Sequence, residues 1–205
     1  MNRDKKYQLG ALLLAAGESR RFAGIKQLSS LDGKHMLQHS LSLLSRLECH
    51  TRLVTLGANA NVIKAAIAVP ENVDLLEVNN WHEGISASIR GGVEMLAQRS
   101  HILIMLADQP DIDLRDINLL LQQSRMHPET IVCAKYADKN AVPAIFPASD
   151  YALLRNLSGD KGAGQFLNHP DFSQRVLTVP MAHGEFDIDT QQDLSRWQQT
   201  KKDKA

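Results

Sequence analysis

Two patterns of apolar and polar positions alternate along the chain. Short continuous apolar runs at 10–16, 52–56, 73–78, 102–107, 130–134 and 176–179 are too brief for helices and are bounded by turn residues, so they predict buried strands. Between them the spacing turns helical. Residues 36–47 carry Leu37, Leu41, Leu44 and Leu47 on one face. Asn59 or Asn61 starts a helix through Ala68, which Pro70 ends, and Ser86 caps another that runs to about Gln98. Asp113 opens a helix to about Met126, and further helices fall at 149–156, 162–168 and 190–199. Residues 17–34 show no period and predict a loop, while 144–146, between Pro143 and Pro147, predicts a short extended piece.

Strands that alternate with helices predict an α/β fold, a mostly parallel central sheet covered on both faces. A single domain spanning 1–205 is expected, with 1–8 and 200–205 as frayed tails, because the 205 residues show no repeat, linker or low-complexity tract. In such sheets ligands sit beyond the carboxyl ends of the strands. Right-handed crossovers can bring the tails of the first and fourth strands to one edge.

Those two tails carry the chemistry. The first strand ends in Leu14-Ala15-Ala16-Gly17, followed by Ser19, Arg21 and Lys26. A small-residue turn lets backbone amides face an anion, with Gly17 as the expected source of unusual torsions. Arg21 and Lys26, five apart in a loop, can converge on one polyphosphate. The fourth strand runs into Asp108, placed to hold a hard cation such as magnesium, which typically takes one or two protein carboxylates. A bland alternative makes Asp108 a helix cap. Asp187 and Asp189, in period-two alternation, can complete the metal site while Thr190 caps the last helix. Gly84 and Ser88 flank the start of a helix, where they either meet a base or ribose or serve as ordinary capping residues. Trp81 and Trp197 are expected to be packing residues.

Composition removes several classes. Lys+Arg and Asp+Glu both total 23, so there is no basic excess to suggest a nucleic-acid partner. No apolar run approaches the length of a membrane span, and no apolar leader stands at the N-terminus, so a cytoplasmic protein is expected. Cys49 and Cys133 lie far apart in apolar stretches and predict free thiols. The loop lacks both the Gly-Lys-Ser/Thr ending of a P-loop and the G-x-G-x-x-G spacing of a dinucleotide fold. No zinc spacing appears among the eight histidines.

Leu14-Ala15-Ala16-Gly17-x-Ser19-x-Arg21-Phe22-x-x-x-Lys26 resembles the signature of the MobA-like NTP transferases. The chain is most similar to the molybdenum cofactor cytidylyltransferase branch. Matching segments occur at Trp81-His82-Glu83-Gly84-Ile85-Ser86-Ala87-Ser88, Leu106-Ala107-Asp108-Gln109-Pro110, Gly159-Asp160-Lys161-Gly162-Ala163 and Asp187-Ile188-Asp189-Thr190. The resemblance implies a three-layer α/β/α Rossmann-like nucleotidyltransferase fold. It implies CMP transfer from CTP to the terminal phosphate of molybdopterin, with magnesium and with release of pyrophosphate. By the same resemblance Leu14, Ala15, Ala16 and Gly17 read base and ribose, Arg21 and Lys26 bind triphosphate, and Asp108 and Asp187 hold the metal. A molybdoenzyme or its chaperone would be the downstream partner. Ala15-Ala16 points to CTP, because guanosine-using relatives carry a second glycine there. The pattern differs at Ala23, at Lys34-His35 and at Ala141-Val142, where relatives carry Gly, Pro and Gly-His. Two other readings stand beside this one: GMP or another nucleotidyl transfer on the same fold, and a carrier that binds nucleotide or cofactor without turnover.

Overall fold

A computed structural model describes residues 7–136 and 138–203. Among them, seven strands form one sheet in the order β5-β4-β1-β6-β8-β7-β9. These are β1 (Leu9–Leu14), β4 (Thr51–Leu56), β5 (Asp74–Glu77), β6 (His101–Leu106), β7 (Ile131–Tyr136), β8 (Lys139–Pro147) and β9 (Val176–Pro180). Two further strands, β2 (Ser30–Leu31) and β3 (Lys34–His35), make a small hairpin inside the expected loop. Every neighbour in the large sheet is parallel except β8, which runs against both β6 and β7.

β1 lies inside the sheet between β4 and β6, and all six of its residues are buried. Leu9, Ala11 and Leu13 pack on one face, against α1 (Met36–Arg46), α2 (Ala60–Ala66) and α4 (Leu114–Met126). Leu12 and Leu14 pack on the other, against α3 (Ile85–Met95), α5 (Tyr151–Arg155) and α6 (Gly164–Leu167). This two-sided burial is why the strand reads as an unbroken apolar run. The result is the expected three-layer architecture.

The nine-residue strand β8 is the main departure. The sequence shows only a short piece there, because two prolines argue against an interior strand. Its pairing explains the tolerance. Ala144 faces Cys133 and Ala141 faces Ala134, so Val142 and Pro143 sit in an irregularity of the ladder. Pairing with β6 ends at Ala144, so Pro143 owes no ladder hydrogen bond on that side either.

Helix ends also differ from expectation. Ser86 lies inside α3, fully buried, and accepts from Arg90 instead of capping; Gly84 is the residue at the cap. Asn59 occupies the cap of α2 in a left-handed conformation without a side-chain bond. Asp113 does cap α4, in a reciprocal box with Asp116. The expected tails are partly ordered. The Tyr7 ring stacks on His101 at 4.2 Å and its hydroxyl donates to Ser124, while α7 (Gln191–Lys202) carries the other end. Residues 1–6 and 204–205 lie outside the described part. Cys49 and Cys133 are free thiols. Among the described residues no helix is long and apolar enough to cross a membrane.

A small cluster places the site. Ile188 and Trp197, flanking the start of α7 and within it, pack with Phe22, Leu31 and Met36. The Gln191 amide donates to Phe22 O, and Ile188 N donates to Asp108 O at 3.0 Å. The C-terminal segment is thereby pinned to both loaded strand ends. α3 is held on the opposite face at close range: a Cβ on Gly92 would stand 2.4 Å from the Leu12 side chain. Gly92→Ala should therefore destabilise the fold by about 1–3 kcal/mol through overpacking, read as a lower urea midpoint at unchanged slope.

Candidate functional site

Because β1 and β6 are adjacent and parallel, with Leu14 paired to Leu106, their carboxyl ends open side by side. Between them and the start of α3 lies a cavity of about 400 Å³. Eleven of the twelve candidate residues read from the sequence line it: Leu14, Ala15, Ala16, Gly17, Ser19, Arg21, Lys26, Gly84, Ser88, Asp108 and Asp189. Asp187 does not.

The turn after β1 is shaped differently from expectation. Gly17 does not adopt a positive φ; Ser19 (61°), Ala23 (55°) and Gly24 (155°) do. Gly17 instead leaves open space, with nothing within 4 Å of where a Cβ would be. The buried Gln27 side chain, which sequence reasoning passed over, ties the turn together by donating to Ala15 O and Gly17 O, each at 2.9 Å. Neither the Ala16 nor the Gly17 N–H has a protein acceptor among the described residues. Ala23 sits in the left-handed region, where a Cβ costs roughly 1–2 kcal/mol.

Opposite the turn, Gly84 has φ 99°, and a Cβ there would stand 2.5 Å from the Asp160 carboxylate and Gly159 O. Trp81, expected to be a packing residue, lines the cavity; its Cβ lies against Gly57. Trp197 is buried, with its indole N–H on Asp111.

Charge is concentrated at one spot. The Lys26 ammonium donates to Asp108 Oδ2 at 2.6 Å and to Asp189 Oδ1 at 3.1 Å. Arg21 reaches the other Asp189 oxygen at 2.8 Å. Burial opposes the Lys26 charge, but the Asp108 and Asp189 carboxylates outweigh it and hold its pKa above the ordinary lysine value. Protein packed around the Asp187 carboxyl, then the neighbouring Asp108 charge, push its pKa up to about 6, although much of the residue faces solvent. Capping does not account for these acids. Asp113 caps α4 and Thr190 caps α7, each in a complete box, which leaves Asp108, Asp187 and Asp189 without that duty.

The donor set suits a divalent cation. Asp108 Oδ1 is buried with no hydrogen-bond partner. Two further carboxylates stand close by. Among the described residues no group of three or more metal-ligating side chains is gathered around one point, so the protein would supply few ligands, as magnesium with a phosphate substrate requires.

Fold and site together define the class, a nucleotidyltransferase. The chain belongs to the MobA-like NTP transferase domain family, which it matches over residues 11–176. It is 27% identical over 194 residues to nicotine blue oxidoreductase of Paenarthrobacter nicotinovorans, covering 90% of this chain and 94% of that protein. It is 28% identical over 194 residues to the purine catabolism protein PucB of Bacillus subtilis (strain 168), covering 90% and 92%. Among solved structures, Rv0371c from Mycobacterium tuberculosis H37Rv superposes with a TM-score of 0.81 at 26% identity, over 94% of this chain and 98% of that one. The manganese complex of Rv0371c gives 0.79 at 25%, over 94% and 99%.

Two substitutions test the site's strain and charge. Ala23 is exposed, so Ala23→Gly changes mainly the backbone and should raise stability by roughly 1 kcal/mol in chemical denaturation. An acid whose folded pKa of about 6 exceeds its ordinary 3.8 binds its proton more tightly in the folded state. Stability contributed by that group therefore falls as pH rises from about 4 to about 6, and the ionised form is destabilising above that window. Asp187→Asn should raise the thermal midpoint of the metal-free protein at pH ~7.5 and bring no gain at pH ~4, below the window.

Proposed function

We propose that this protein, acting as a single domain in the cytoplasm, transfers CMP from CTP to the terminal phosphate of a molybdopterin-type acceptor, with magnesium as cofactor. The observation that carries this reading is the cavity in which the 14–17 turn, Arg21, Lys26 and Asp108 meet. The backbone of Leu14, Ala15, Ala16 and Gly17 receives the base and ribose from one side, with Gly84 and Ser88 across the cavity and Ser19 at the bend. Arg21 and Lys26 take the triphosphate. Asp108 and Asp187 hold the metal, with Asp189 beside them. The manganese complex of Rv0371c supports a divalent metal in this family. Ala15-Ala16 supports cytidine. The product would pass to a molybdoenzyme or its chaperone.

An oxygen of the acceptor's phosphate attacks the α-phosphorus of CTP. A P–O bond forms there, the bond from the α-phosphorus to the bridging oxygen breaks, and pyrophosphate leaves with the electron pair. The acceptor supplies the nucleophile, so the protein needs none, and catalysis reduces to positioning and charge neutralisation. Bound magnesium supplies positive charge to the phosphate oxygens. Lys26 is held protonated by its carboxylate partners, so it brings a full charge to the phosphate chain at neutral pH. Arg21, more exposed and forked, can grip the outer phosphates.

Pyrophosphate release from purified protein, with CTP or GTP and molybdopterin as acceptor, tests the reading. CTP should support turnover, chelation of divalent metal should abolish it, and magnesium should restore it. Release with GTP alone would move the activity to guanylyl transfer, and no release with either nucleotide would overturn the assignment. Lys26→Ala and Asp108→Ala should each lower the rate roughly 100- to 1000-fold, with circular dichroism reporting whether the fold is kept. Turnover at the wild-type rate in either would remove that residue from the mechanism.

A further inference from the structure

Gln27 follows Lys26 in the single turn Lys26–Leu28 and is 4% exposed. Its amide nitrogen donates to both Ala15 O and Gly17 O. Its amide oxygen accepts from the Ser19 hydroxyl at 3.4 Å. The carbonyl between those two, Ala16 O, accepts from Ala58 N at 3.0 Å. All three carbonyls of the 15–17 turn are thus engaged by protein donors, while the Ala16 and Gly17 N–H groups have no protein acceptor among the described residues. Each of these carbonyls thus already accepts one protein donor, whereas the Ala16 and Gly17 N–H groups are left for a ligand, which biases the turn toward donating.

We propose that Gln27 is a positioning residue that sets base selectivity: by engaging the Ala15 and Gly17 carbonyls, it biases the turn toward reading an acceptor edge of the nucleobase. This rests on the nucleotide reading of the cavity given above. O2 and N3 of cytosine, and O6 and N7 of guanine, present two adjacent acceptors. On adenine the 6-amino donor borders both N1 and N7, so neither of those edges does. Brought against these amides the amino group faces donor with donor, and each is left unpaired in a partly enclosed site, the situation that gives large discrimination. Without the Gln27 amide, two carbonyls become free acceptors, the turn loses its bracing, and an amino edge gains partners. Neither Arg21 nor Lys26 is altered, so the grip on phosphate remains.

Direct binding of CTP, ATP and inorganic tripolyphosphate to the full chain in magnesium separates these contributions, because tripolyphosphate has no base and reports the cations and the fold. Gln27→Met keeps the side-chain volume and removes the amide; Gln27→Glu keeps the shape and turns a carboxylate toward the two carbonyls. Wild-type protein should prefer CTP to ATP. Gln27→Met should lower that ratio roughly tenfold, as expected for losing one hydrogen-bond-scale preference, with tripolyphosphate affinity unchanged. Gln27→Glu should bind CTP more weakly still. An unchanged CTP-to-ATP ratio in Gln27→Met overturns the assignment. So does loss of tripolyphosphate binding in both variants, which would make Gln27 a purely structural residue. Wild-type protein that binds tripolyphosphate but prefers no base overturns base reading by this turn. Wild-type protein that binds neither nucleotide nor tripolyphosphate overturns the nucleotide reading itself.

Discussion

The Lys26 ammonium, held between Asp108 and Asp189, joins parts of the chain more than 80 and 160 residues away from it. Without it, the Asp108 and Asp189 carboxylates, from two distant segments, would lose the cation they share in a partly enclosed site. Burying unpaired charge is costly, and removing one partner of such a cluster typically costs about 3–5 kcal/mol when the site is fully buried. Here the Lys26 and Asp108 side chains are 13% and 22% exposed, so the effect is smaller but of the same sign. The cluster therefore acts as a closure for the fold as well as a functional group. It sets the loop after β1 against the turn after β6 and against the segment before α7.

That arrangement explains which parts were legible in the sequence. β1, the 14–17 turn and Asp108 are local features, and burial on both faces imposes a recognisable run of apolar residues ending in small or charged ones. Arg21 and Lys26 stand out for the same reason. Asp189 was visible, but nothing local ranks it against Asp187. The packing of Ile188 and Trp197 on Phe22, Leu31 and Met36 decides that Asp189 meets the cations. Gln27 and Trp81 were missed or read as packing because their partners, Ala15 O, Gly17 O and Gly57, lie in other segments. β8 was under-read because its prolines signal a break; an irregular ladder, invisible in sequence, makes them harmless. Ser86 shows the opposite error, a good capping residue drawn inside the helix because Gly84 takes the turn.

Rigidity is unevenly distributed around the cavity. Close approaches at Gly57, to Trp81 and Ala16 O, at Gly84, to Asp160 and Gly159, and at Gly92, to the Leu12 side chain, leave no room for a Cβ and hold these positions tightly. On the loop side, Ser19 and Ala23 occupy a backbone region that side chains disfavour. Such strain persists only where surrounding structure over-determines it. Here the buried Gln27 amide and the packing of Phe22 supply that determination.

On the proposed function, the same cluster bears on how a polyphosphate would enter. In the ligand-free state Arg21 is already paired with Asp189, and Lys26 with both Asp108 and Asp189. A triphosphate arriving alone would have to displace a carboxylate from Arg21 and Lys26, and would then lie beside the carboxylates it released. Arriving with a divalent cation, it would exchange one set of opposite charges for another: on the proposed roles the phosphates would take the Lys26 and Arg21 contacts, and the freed carboxylates would be available to hold the metal. Burial first, and then the neighbouring Asp108 charge, raise the Asp187 pKa in the ligand-free protein, so that carboxylate too would gain from a nearby cation. If the proposed function holds, coupled uptake of metal and nucleotide would follow from electrostatic balance at the site, with no need for a separate gating element.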